Sequence, residues 1–190
     1  MTQEQFIVTK EHHRYTEFAD TVKGQHTIGI CYGRPESARP YPPEDSNWDK
    51  AHTLIEEWGR REDSDALAYA ALAESRTVLY APSVLLTPRT LRDELDEVFM
   101  RVSLSIEEHL KTIGKPPKRG DFPVAELIIV DEAKRLSPTA VELLRYRYDR
   151  NKAALILIGM PGLEKQFSRS HSSTAELDAP TNTVPLVRTN

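Results

Sequence analysis

Apolar residues recur along the chain in two rhythms. Tyr15, Phe18, Ala19 and Val22 stand at i, i+3, i+4 and i+7 within residues 9–23, the spacing of one helical stripe, and Gly24 follows as a stop. Thr27 to Tyr32 is instead a short, mostly apolar run of the length of a buried parallel strand, broken by Gly33-Arg34-Pro35. Pro35, Pro40, Pro42 and Pro43 in a polar setting predict a loop from Glu36 to Asn47. Trp48, Ala51, Ile55 and Trp58 share one helical face closed by Gly59, and Ser64 opens an alanine-rich helix through Glu74. Val78 to Tyr80 is a second short strand. Thr87 before Pro88 is an N-cap with proline at the first helical position, after which Leu91, Leu95, Val98, Val102, Ile106, Leu110 and Ile113 continue one stripe up to Gly114.

Leu127 to Val130 is a β-branched run ended by Asp131-Glu132, and Ser137-Pro138 repeats the cap-plus-proline device with Val141, Leu144 and Tyr148 on the buried face. Ala154 to Ile158 is a fourth strand, broken by Gly159-Met160-Pro161-Gly162. Strands and helices alternate, and the crossovers are long enough for parallel pairing. The pattern therefore predicts a three-layer α/β sandwich over residues 1–169. From Ser170 to Asn190 the text turns to Ser, Thr, Pro and Asn with no aromatic residue, which predicts a disordered tail over 170–190.

Composition adjusts this picture in three places. A length of 190 residues suits one domain with an attached tail. The longest uninterrupted apolar run, Ala153 to Met160, is far short of the roughly 18 residues that cross a bilayer, and the polar start lacks the layout of a secretory signal. No membrane association and a cytoplasmic location are expected. Cys31 is the single cysteine, which excludes an intrachain disulfide and a cysteine-based zinc site, and the net charge of −4 gives no global pull towards polyanions.

In parallel sheets ligands bind beyond the carboxyl ends of the strands, so the residues just after each apolar run are the candidates for chemistry. They are Cys31 to Arg39, Asp131-Glu132, and Gly159 to Gly162. Two adjacent carboxylates ending an aliphatic strand suit magnesium-nucleotide chemistry, the first holding a metal-bound water and the second orienting an attacking water. A plainer alternative has Asp131 capping the turn and Glu132 solvated.

Taken in order, several segments resemble AAA-superfamily ATPases that act as transposition helpers, the TniB/IstB-like and ExeA-like group of bacterial mobile elements. They are Glu11-His12-His13-Arg14-Tyr15-Thr16-Glu17-Phe18, Ile28 to Pro35, Trp48-Asp49, Thr87-Pro88-Arg89-Thr90, Leu127 to Ala133 with Arg135-Leu136-Ser137, and Leu157 to Glu164. The resemblance implies a P-loop NTPase core using ATP and Mg²⁺, with Asp131 on the metal and Glu132 activating water. It implies transposase and double-stranded DNA as partners and a homo-oligomer as the assembly. It also implies a Walker A loop after the first strand, where backbone N–H groups, a Lys and a Ser or Thr hold phosphates and metal. Here Pro35 is followed directly by Glu36-Ser37-Ala38-Arg39, so the phosphate-binding glycines, the lysine and the hydroxyl are missing, and Gly33, Arg34 and Pro35 are what remains of the loop. Arg34 and Arg39 are the available substitute phosphate ligands. Met160 stands where the family offers a polar sensor, and the family-like text stops near Arg169, before a fifth strand and a helical lid. The resulting expectation is a truncated AAA core, an ATPase by resemblance with impaired nucleotide binding and hydrolysis. The alternative is a non-enzymatic remnant that contacts DNA or protein.

Weaker candidates complete the survey. Lys111, Lys115, Lys118 and Arg119, with Arg145, Arg147, Arg150 and Lys152, are possible phosphate-backbone contacts or solvated helix ends. His12 and His13 are adjacent on a helix and point apart, which disfavours a metal pair, and Cys31 in an apolar strand reads as core.

Overall fold

The computed structural model describes residues 10–32, 46–59, 62–84, 86–118, 123–151, 153–159 and 187–188. Five helices and five strands follow in the order α1 (Lys10–Gln25), β1 (Ile28–Tyr32), α2 (Ser46–Glu56), α3 (Ala66–Ser75), β2 (Thr77–Tyr80), α4 (Pro88–Thr112), β3 (Leu127–Val130), α5 (Pro138–Asn151), β4 (Ala154–Gly159) and β5 (Val187–Arg188). Short 3₁₀ turns occupy Asp63–Asp65 and Ala133–Arg135.

All strand pairs are parallel and the sheet order is β2-β3-β4-β1-β5. The central strands β3 and β4 are apolar throughout because both faces are covered, so they show no alternation of polar and apolar residues. Leu127, Ile129, Ala154, Ile156, Ile158 and Cys31 bury their side chains with Tyr15, Phe18, Ala19 and Val22 of α1. The intervening residues Val78, Tyr80, Ile128, Val130, Leu155 and Leu157 point the other way, into a core shared with α2, α3, α4 and α5. This is the expected three-layer α/β arrangement.

Gly29 explains how α1 lies so close to β1. A Cβ there would stand 2.5 Å from Phe18 Cζ and 2.8 Å from Val22 Cγ2, so a side chain at this position would force Phe18 and Val22 to shift. α1 ends through His26 in a left-handed conformation (φ 48°), with the N–H groups of His26 and Thr27 donating to Lys23 O and Val22 O. On the other face, Arg101 of α4 donates to Ile55 O at 2.5 Å and Glu56 O at 3.1 Å, which satisfies carbonyls at the carboxyl end of α2 with a positive charge. The same guanidinium pairs with Glu97 and lies over the Trp58 ring. Trp58, placed by its spacing on the helical face of Trp48, therefore sits beyond the end of α2 and packs through its contact with α4.

The amino ends of β2 and β3 are fastened by charge. Glu126 lies 3.0 Å from Lys23 Nζ and 3.2 Å from Arg76 Nη1, joining α1 to both strands at the end of the sheet opposite the candidate site. Two elements differ from the sequence expectation. Ile113 follows the end of α4 as its C-cap and is 47% exposed, so the apolar stripe leaves the core before it. Val187–Arg188, within the segment expected to be a disordered tail, pairs with Cys31 and Tyr32, so the outer edge of β1 is covered at those residues. A two-residue strand needs only backbone partners and leaves no pattern in the sequence. The rest of 170–190 lies outside the described residues.

Candidate functional site

The carboxyl ends of β2 and β3 are held in step past the strands themselves, since Asp131 N–H donates to Tyr80 O at 2.9 Å. The chain then turns sharply. Glu132 is left-handed (φ 49°, ψ 37°), an uncommon conformation for a residue with a Cβ, and its N–H donates to Asp131 Oδ1 at 2.6 Å. The 3₁₀ turn Ala133–Arg135 follows, and buried Ala133 and Leu136 draw it back onto the core. Apolar residues on either side of the turn thus fix the two carboxylates at the strand end.

The two carboxylates differ in their surroundings. Asp131 braces the turn through Oδ1, as the capping alternative anticipated, and remains partly exposed. Glu132 is engaged by cations, with Oε2 2.9 Å from Lys134 Nζ and 3.9 Å from Arg135 Nε. The hydrogen bond and charge of Lys134, with the charge of Arg135, outweigh desolvation and hold the Glu132 carboxyl below the usual range. A carboxylate so paired is a weak base with an occupied oxygen. Arg135 also donates to Pro82 O at 3.0 Å, tying the turn to the segment after β2. Lys134 and Arg135 went unrecognised as partners in the sequence, although cations two and three residues after Glu132 in so tight a turn were a usable signal.

Two phenols sit beside this end of the sheet. Tyr80, the last residue of β2, donates to Glu94 Oε2 at 2.5 Å, and burial together with that bond pushes its ionisation up. Tyr15 of α1 is 2% exposed, and its hydroxyl has no hydrogen-bond partner among the described residues. Burial, followed by the charges of Cys31 and Asp131, pushes its ionisation up, which places it within electrostatic reach of the candidate metal ligand. The Cys31 thiol is pushed up by burial as well, in keeping with a core residue.

Gly33, Arg34 and Pro35, the expected remnant of the phosphate loop, lie outside the described residues, as do Arg39, Met160 and Arg169. The structure therefore brings Asp131 and Glu132 together with Lys134 and Arg135. Among the described residues no group of three or more His, Cys, Asp or Glu side chains could hold a metal ion, and no helix is long and apolar enough to cross a membrane. Of the expected basic patches three cations pair with neighbouring acids, Lys111 with Glu107 and Glu108, Arg145 with Glu142, and Arg147 with Asp96, while Arg119 and Lys152 lie outside the described residues.

A "Potential ATP-binding protein" of Staphylococcus aureus is 32% identical over 179 residues, covering 89% of this chain and 64% of its own length. This chain thus spans less than two thirds of that relative. The family model described as an AAA domain matches residues 41–167, a stretch that begins after β1 and runs from α2 past β4, including Asp131 and Glu132. Over that stretch, well beyond half its length, the chain belongs to the AAA domain family.

Proposed function

We propose that the protein is an ATP-binding subunit of the AAA family, of the transposition-helper type, that binds Mg²⁺-nucleotide at the carboxyl ends of β1 and β3 and hydrolyses it slowly or not at all. The observation that carries this is the Asp131-Glu132 pair at the end of β3. One of its carboxylates stands partly exposed at the strand end and the other is neutralised by Lys134. A magnesium ion needs only one or two protein carboxylates, with waters and phosphate oxygens completing its shell, so Asp131 fits it as the partly exposed ligand. Glu132 does not fit the role of water-activating base in this conformation, because its Oε2 lies against Lys134 Nζ. Support for nucleotide comes from the AAA family and from the name of the Staphylococcus relative. Support for weak turnover comes from the sequence after Pro35, which lacks the phosphate-binding glycines and lysine. Transposase, double-stranded DNA and a homo-oligomer are the partners this reading supplies.

The test is equilibrium binding of a fluorescent ATP analogue with Mg²⁺ to three proteins: the native chain, its Asp131→Ala variant, and a chain with Gly-Val-Gly-Lys-Thr inserted after Pro35. Micromolar binding by the native chain that Asp131→Ala weakens about tenfold or more supports the proposal. Binding by the repaired chain alone would show that the fold has kept the family's layout and lost its nucleotide.

A further inference from the structure

Away from the strand ends, α4 and α5 enclose a cleft of about 510 Å³ lined by Arg92, Asp96, Leu143, Tyr146, Arg147 and Arg150. Its size falls within the range of small-ligand sites, roughly 300 to 1,000 Å³. Its chemistry is cationic, with three guanidinium groups against one carboxylate. The carboxylate of Asp96 is taken by Arg147. Arg150 Nη1 donates 2.9 Å to the Tyr146 hydroxyl, a neutral partner, and has no ion pair among the described residues. Arg92 is exposed and has no ion pair among the described residues. Arg92 lies one turn before Asp96 on α4, and Arg150 lies about one turn after Arg147 on α5. The Tyr146 ring, 55% exposed, and Leu143 supply the apolar part of the lining.

We propose that this cleft is a binding site for a small oligophosphate, a nucleoside polyphosphate fitting best, with Arg92 and Arg150 holding the phosphates and Tyr146 and Leu143 contacting the planar base. Forked guanidinium donors match phosphate oxygens, and an exposed aromatic ring is a stacking platform. A long polyanion is disfavoured because the whole chain has a net charge of −4 and the carboxylate of Asp93 stands exposed beside Arg92. A compact anion seated between the helices avoids that carboxylate, whereas a duplex laid along α4 meets it. The site goes beyond the strand-end reading and does not depend on it.

The experiment is calorimetric titration of the full chain with ATP and with inorganic tripolyphosphate in EDTA, where magnesium-dependent binding at Asp131 is silent. Native protein is compared with Arg92→Gln, Arg150→Gln and Asp131→Ala, each shown folded by circular dichroism. Both arginines are exposed, so their replacement leaves the core intact. The expected result is binding of both anions, tighter for ATP, weakened about tenfold or more by each arginine substitution and unchanged by Asp131→Ala. Absence of binding at millimolar anion overturns the proposal, as does binding that both arginine variants retain. It is equally overturned if Arg92→Gln and Arg150→Gln abolish duplex DNA binding by a protein that takes up neither small anion.

Discussion

Tyr15 buries a hydroxyl without a hydrogen-bond partner among the described residues, a cost of about 1 to 3 kcal/mol that a phenylalanine would not incur. Tyr15→Phe is therefore expected to raise unfolding free energy by about 1 kcal/mol in urea titration at neutral pH. Because burial raises the ionisation of this phenol, the folded state holds its proton more tightly than the unfolded chain does. Its contribution is complete below about pH 10 and is lost as pH rises further, so the phenylalanine variant should lose less stability in alkali. Glu132 has the opposite sign. Its carboxyl is held low by Lys134, so the stabilisation is present above about pH 4.3 and is lost as pH falls towards the lower folded value. Lys134→Met is expected to flatten the acid limb of thermal melts taken between about pH 3 and 6. At this scale the sequence was informative about which residues sit at the strand ends and less so about their state. Asp131 and Glu132 were identifiable from their place after an aliphatic run. The left-handed backbone that delivers Glu132 to Lys134 depends on the packing of Ala133 and Leu136 and has no local signature.

Among the elements, the helix starts marked by a cap and a following proline were the most legible because capping is a local interaction, whereas Ser64, read as opening a helix, lies inside the 3₁₀ turn Asp63–Asp65 ahead of α3. Thr87 Oγ1 accepts from Thr90 N–H at 3.1 Å and Ser137 Oγ from Ala140 N–H at 3.2 Å, each followed by proline as its sequence implied. Thr87→Ala is expected to cost about 1 kcal/mol, and up to about 2, in equilibrium unfolding, with Thr87→Ser restoring most of it. Helix ends were harder to place. The apolar stripe runs through Ile113, one residue beyond α4, and Trp58 continues the stripe of α2 after that helix has stopped at Glu56. In both cases tertiary contact, or its lack, marks the boundary: Ile113 is exposed, and Arg101 meets the carbonyls of Ile55 and Glu56.

For the molecule as a whole, alternation of strand and helix sufficed for the α/β class and for parallel pairing. It did not supply the order β2-β3-β4-β1-β5, because near-uniformly apolar strands carry no label of their neighbours. That order has a kinetic consequence. Ile28 of β1 is paired with Leu155 of β4, about 125 residues later, while β2 and β3 pair with each other across a much shorter span. At roughly 5 to 20 residues per second, β1 waits about 6 to 25 s for its partner during synthesis. Throughout that interval Cys31 has no strand on either side, since β5 comes later still. Ribosome-bound chains stopped before Ala154 should therefore react with a maleimide at Cys31, and released full-length chains should be protected. Reactivity that is equally low in both would mean that α1 shelters β1 before the sheet exists. If the difference is found, the first strand to be made is among the last to be secured, and a chaperone that shields apolar strands would have its longest opportunity at residues 28–32.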